Sequence, residues 1–201
     1  STISKNLKRE LNKKKIWVAS STHGSEEFFC ARAHIILKKA HKNLITIIIP
    51  RHIHRVKEIV NQIKKLKLNV VLHSSKIKKL KDVDIYIVDT FGETRKFHEI
   101  SSTVFLGGSI VERGGQNPLE AARFGANILH GPNIYNFKDV YKFLKKLNVS
   151  KKIKTPNELA LIIKFKKNMK TGVKIKNIGD KILKKTIYEL NKQIKNEYEK
   201  T

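Results

Sequence analysis

Residues Leu44–Pro50, LITIIIP, are continuously apolar and β-branched, with no alternation between polar and apolar positions. A run of this kind fits a strand covered on both faces, which is the environment of a parallel sheet. Pro50 stops it. Similar short runs recur at Lys15–Ser20 (KIWVAS), more weakly at Asn69–His73, and at Val83–Val88, Thr103–Leu106 and Ala126–Leu129. Between them lie helical patterns. Phe28, Ala31, Ile35 and Leu37 mark an imperfect apolar side, and Val56, Val60, Ile63 and Leu66 mark a cleaner one over 53–66. Pro118–Phe124, Phe137–Leu147 and Asn157–Met169 follow as helices, and Ile178–Tyr198 reads as a terminal helix. Strands and helices alternating in this way predict an α/β fold, a Rossmann-like parallel sheet with helices on both faces.

Composition narrows the function classes. One cysteine, Cys30, excludes an internal disulfide and any multi-cysteine metal site; in an apolar helix it reads as core rather than nucleophile. No apolar stretch reaches the roughly 18 residues of a membrane span, and STISKNLKREL lacks a signal-peptide core. These features predict a reducing, cytoplasmic setting. The net charge is +26, yet residues 84–132 carry 4 basic and 6 acidic side chains and seven of the ten glycines. The flanks hold the cations, and 36 of the 43 are lysine. Such a field favours solubility, an anionic membrane or a lipid substrate. Nucleic acid is disfavoured because interleaved stacking aromatics are missing.

In an open parallel sheet, ligands lie beyond the carboxyl ends of the strands. The densest candidate there is Gly107–Glu120, GGSIVERGGQNPLE. Its glycines let a ligand approach the backbone, and the amides near Gly114, Gly115, Gln116 and Asn117 precede a helix. Ser109 can donate to an anion, and Glu120 can accept from two sugar hydroxyls; a merely tight turn is the plainer alternative. The segment matches neither GxGxxG nor a P-loop. In Pro50–Arg55, PRHIHR, Arg51 and Arg55 read as an anion clamp or a solvated charge cluster. His52 and His54 lack a carboxylate or cysteine at metal-ligand spacing, so no metal is expected. In SSTHGSEE, Thr22 or Ser25 can cap the next helix, Glu26 and Glu27 suit its first turn, and His23 is either a turn residue or a donor, acid or base. Glu93 in DTFGE caps a helix or binds a ligand, and Asn136 is a good N-cap.

Taken together, these loops resemble the C-terminal half of 3-deoxy-D-manno-octulosonic acid (Kdo) transferases, GT-B glycosyltransferases of lipid A and lipopolysaccharide biosynthesis. The resemblance is carried by WVASSTH (17–23), Glu26–Glu27, PRHIHR (50–55), DTFGE (89–93), FLGGS (105–109), GGQNPLE (114–120) and GPNIYNF (131–137), in family order. It implies a domain that holds CMP-Kdo, with Arg51 and His52 near donor phosphate or base. It places Gly107, Gly108, Ser109, Gly114, Gly115, Asn117 and Glu120 around phosphate and ribose, with His23, Arg55, Glu93, Gln116 and Asn136 as further candidates. No cofactor or metal is implied. The acceptor is a lipid A precursor, bound by an N-terminal half that also carries the general base, at the cytoplasmic face of the inner membrane. On this reading residues 1–14 are a linker remnant, 15–177 the nucleotide-sugar domain, and 178–201 a helix crossing back towards the N-terminal half. The chain alone is then expected not to transfer sugar. Gln116 stands where the family usually has histidine, and Thr94 where it usually has leucine. The rival readings are another GT-B nucleotide-sugar enzyme, using UDP-sugars as a transferase or epimerase, and a non-catalytic anion- or nucleotide-binding module.

Overall fold

The computed structural model describes residues 3–76 and 79–181. The chain runs α1 (Lys5–Asn12), β1 (Lys15–Thr22), α2 (Glu26–Ala40), β2 (Leu44–Pro50), α3 (Val56–Lys64), β3 (Val70–Leu72) and β4 (Ile85–Ile87). It continues with α4 (Thr94–Ile100), β5 (Thr103–Leu106), α5 (Leu119–Arg123), β6 (Asn127–His130), α6 (Lys138–Lys146), β7 (Ser150–Lys152) and α7 (Pro156–Ile162). A further helix, α8, occupies 169–181. The strands form one seven-stranded sheet in the order β3-β4-β2-β1-β5-β6-β7, and every pairing is parallel. The chain lays β2, β3 and β4 on one side of β1, with β4 between β2 and the edge strand β3, then crosses to start the other side at β5. That reversal opens a crevice at the carboxyl ends of β1 and β5.

Each face of the sheet has its own core. Val18, Ile45, Ile47, Val104 and Ile128 pack beneath α1, α4, α5, α6 and α8, whose buried residues include Leu11, Phe97, Ala122, Leu144 and Ile175. Trp17, Ala19, Ile48, Phe105 and Leu129 face α2, α3 and α7 through Cys30, Leu37, Ile59, Ile63 and Leu159. The period-two alternation within each strand sends neighbouring apolar residues to opposite faces, so a fully apolar strand is what this architecture requires. Cys30 is fully buried, as a core cysteine would be.

Several elements differ from the sequence expectation. The segment read as a linker folds as α1: Ser4 caps it, its Oγ accepting from Leu7 N at 3.3 Å, while Leu7 and Leu11 enter the core. The short edge strand β7 has no apolar signature, because only Ser150 of Ser150–Lys152 is buried. Helix α7 stops at Ile162 rather than running to Met169, since Lys164 is drawn under β5. Its carbonyl accepts from Thr103 Oγ1 at 2.7 Å, and its amide donates to the same hydroxyl at 3.1 Å. Asn136 does not cap α6; its amide reaches Arg113 O at 3.4 Å. Neither Ser25 nor Thr22 caps α2 through its side chain. Of the terminal helix, 178–181 continue α8, and 182–201 lie outside the described residues. Among the described residues no helix is long and apolar enough to cross a membrane.

Candidate functional site

The loops after β1, β2, β4, β5 and β6 all open on the carboxyl edge of the sheet, and one buried carboxylate ties two of them together. Glu26, the first residue of α2, is fully buried. Its Oε2 accepts from Gly108 N at 2.7 Å and His23 N at 2.9 Å. Its Oε1 accepts from Ile110 N at 2.9 Å and Ser109 N at 3.0 Å. Four backbone donors thus converge on one side chain, joining the turn after β1 to the turn after β5. Gly107 makes the approach possible, because a Cβ there would lie 2.6 Å from Thr22 Cα and 2.8 Å from Glu26 Oε2.

The first glycine pair is thereby tied to the start of α2. The amides of Gly108 and Ser109 already serve Glu26, and the Ser109 hydroxyl is buried, donating to Leu106 O at 2.5 Å and accepting from Gly131 N at 2.8 Å. What Gly107, Gly108 and Ser109 contribute here is a fixed loop shape. Arg51 and Arg55 are placed differently. Arg55 turns inward to the fully buried Glu27, with Nη1 donating to Oε1 at 3.0 Å, and the Thr22 hydroxyl donates to the same oxygen at 2.9 Å. Burying Glu27 without a cation would be costly, so Arg55 is committed to it. Arg51 and His52 remain exposed at the mouth.

Beside this framework lies a cavity of about 430 Å³ lined by His23, Gly24, His52, Arg55, Val111 and Arg113. The His23 and His52 rings meet edge to face, 5.6 Å between centroids. Burial lowers the His23 pKa, and the nearby His52, Arg113 and Arg51 lower it further. Its Nε2 is buried beside Gly108 and lacks a hydrogen-bond partner. The second glycine pair supports this wall: Gly115 N donates to Gly108 O at 2.8 Å, and Asn136 N to Gly114 O at 3.2 Å. Gly114 has φ +81° with the Asn136 amide packed against it. Among the described residues no three His, Cys, Asp or Glu side chains are grouped to hold a metal.

Asn117 and Glu120 do not share that cavity. They line a larger one of about 780 Å³ with Arg95, Glu99, Arg123 and Lys167. Asn117 Oδ1 accepts from Leu119 N at 3.0 Å, starting α5. Gln116 enters through its backbone, its carbonyl accepting from the Tyr141 hydroxyl at 3.0 Å. The Glu120 side chain is about half exposed, and its Oε2 lies 3.4 Å from His98 Nδ1. Glu93 belongs to a third cavity of about 560 Å³ with His73, Thr90 and Lys96, against Ser4 and Leu7 of the first helix region. Its side chain pairs with Lys96 at 2.8 Å and does not cap α4. Sequence reasoning overlooked Arg113 and His98, and it took Glu26 for a helix-dipole partner. No local spacing marks these contacts: Glu26 and Ser109 are 83 residues apart.

No family model matches the chain. It is 31% identical to the 3-deoxy-D-manno-octulosonic acid transferase of Haemophilus influenzae over 129 residues, 64% of this chain and 30% of that protein. It is 33% identical to the enzyme of the same name from Rickettsia typhi over 192 residues, 96% of this chain and 41% of that one. It therefore spans less than half the length of the transferases it matches. In structure it is similar to the C-terminal CMP-Kdo binding domain of WaaA from Acinetobacter baumannii, with a TM-score of 0.73 and 24% identity, covering 78% of this chain and 82% of that domain. By sequence the chain belongs with the Kdo transferases, and it has the fold of the C-terminal half of a GT-B glycosyltransferase.

Proposed function

We propose that this chain binds CMP-Kdo at the carboxyl edge of its sheet and serves as the donor-binding half of a transferase that moves Kdo to a lipid A precursor. The observation that carries this reading is the cavity of His23, His52 and Arg113 at the switch point of the sheet, on a fold shared with a CMP-Kdo binding domain. An anionic donor group is met there by Arg113 and by a His23 that burial keeps neutral, and so able to donate or accept. Glu120 offers its carboxylate to the ribose diol from the second cavity. Departure of CMP is assisted by these side chains without a required metal. Transfer also needs an acceptor hydroxyl and a general base held against the donor. The described domain supplies the donor surface, and we infer that an acceptor-binding half must complete it. The lysine-rich flanks suit work beside an anionic membrane.

Titration of the 201-residue chain with CMP, UMP and AMP at about 0.15 M salt, followed by backbone NMR, tests the reading. The expected result is saturable, CMP-preferring shifts at His23, Arg51, His52, Arg113 and Glu120. R113A is expected to weaken CMP binding about tenfold. A preference for UMP would instead favour a UDP-sugar enzyme, and a folded protein that saturates with no nucleotide would overturn donor binding.

A further inference from the structure

Helix α4 packs beside α5, and His98 lies between the end of β1 and Glu120. Only 4% of His98 is exposed. Its Nε2 lies 3.0 Å from the hydroxyl of Ser20, which is itself fully buried. Its Nδ1 is buried with no hydrogen bond of ordinary length, and the group facing it is Glu120 Oε2 at 3.4 Å. A carboxylate accepts only, so its approach to Nδ1 calls for the proton on that nitrogen, and an Nε2 without one accepts from the Ser20 hydroxyl. One tautomer suits both neighbours of the ring, Ser20 and Glu120.

The order of these groups resembles a hydrolase triad, but the polarity is reversed. The serine is sealed in the core, whereas the acid faces the cavity with 49% of its side chain exposed. The chain of bonds therefore acts on the carboxylate and not on the hydroxyl. The contact with His98 is the main cause that holds the Glu120 pKa below its ordinary value, with Arg95 and Arg123 adding to it.

We propose that His98 is a positioning residue for Glu120: anchored on Ser20, it holds the carboxylate in the orientation that accepts hydrogen bonds from a ribose diol. The proposal deepens the donor-binding reading and rests on it. Without His98, Glu120 would swing towards Arg95 or Arg123, which line the same cavity. Ribose recognition would then be lost while the fold survives.

The test compares binding of CMP and 2′-deoxy-CMP to the intact chain. Wild-type protein is expected to prefer CMP, and E120Q to lose that preference. H98F is expected to reduce it about tenfold. H98N is expected to keep most of it, because its amide donor falls where Nδ1 stood. If E120Q loses the preference and H98F keeps it, the positioning role is overturned while donor binding stands. If wild-type protein shows no preference for the ribose form, the ribose role of Glu120 fails and the positioning role fails with it. A second measurement needs no nucleotide and no H98F: side-chain ¹⁵N NMR of His98 in the wild-type protein. The expected state carries a proton on Nδ1, and a ring protonated on Nε2 alone overturns the proposal.

Discussion

Replacing Glu26 by alanine would leave the amides of His23, Gly108, Ser109 and Ile110 without their acceptor in a buried place. Unmet buried donors cost more than the bonds they once made are worth. E26A is therefore expected to lose about 3 kcal/mol of stability, read from denaturant unfolding. The vacated space is a carboxylate-shaped hole lined by four donors, so added formate is expected to recover part of the loss and chloride none of it. Equal effects of the two salts would show that the amides do not act as a carboxylate cradle. Arg51, Asn117 and Glu120 could be placed near the carboxyl edge from the sequence because each stands in a segment whose composition announces a turn or a helix start. Glu26 was legible only as a helix-start acid, and its partners 82 to 84 residues away were not. Arg113 was hidden inside a loop whose glycines dominated the reading. The pairing of Arg55 with Glu27 likewise depends on the approach of two turns that sequence spacing does not encode.

At the scale of elements, the strands with strong apolar runs were legible because burial on both faces leaves little room for polar residues. Helix α1 was not, since lysine, asparagine and arginine outnumber its apolar residues. Its stripe is only Leu7 and Leu11, continued by Ile3 ahead of it. Those few contacts still matter. Leu11 is 1% exposed, and L11A is expected to destabilise the protein by about 3 kcal/mol. L161A on α7, where Leu161 is 84% exposed, is expected to change stability by less than about 0.5 kcal/mol. Thermal unfolding of the two variants side by side checks this, and equal losses would mean that α1 adds nothing to the core. The edge strand β7 escaped notice for the opposite reason. A strand of Ser150–Lys152 reads as loop until β6 is there to pair with it.

For the whole molecule, a formal charge of +26 on 201 residues sets self-repulsion against the cohesion of the two cores. Screening weakens that repulsion, so the melting temperature is expected to rise between about 0.02 M and about 0.3 M sodium chloride. A falling melting temperature would mean that ion pairs such as Arg55–Glu27 outweigh the general repulsion. The global charge was plain from composition. Its sparing of residues 84–132 was equally plain, and that stretch carries the Gly107–Glu120 loop and ends at the turn after β6. What composition could not reveal was the division of the site into separate hollows, with His52 beside one and Glu120 beside another.

The strand order also has a consequence for the chain during its synthesis. One half of the sheet, β3-β4-β2-β1, is encoded by residues 15–87, while the other neighbour of β1 begins only at Thr103. Once the first half has emerged from the ribosome it can pair completely, and β1 then stands as an open border with bare peptide groups. Until Thr103–Leu106 emerges to close that border, the growing polypeptide carries an adhesive seam through what will become its centre. Cellular holding factors would find their hold on the newborn protein along that seam.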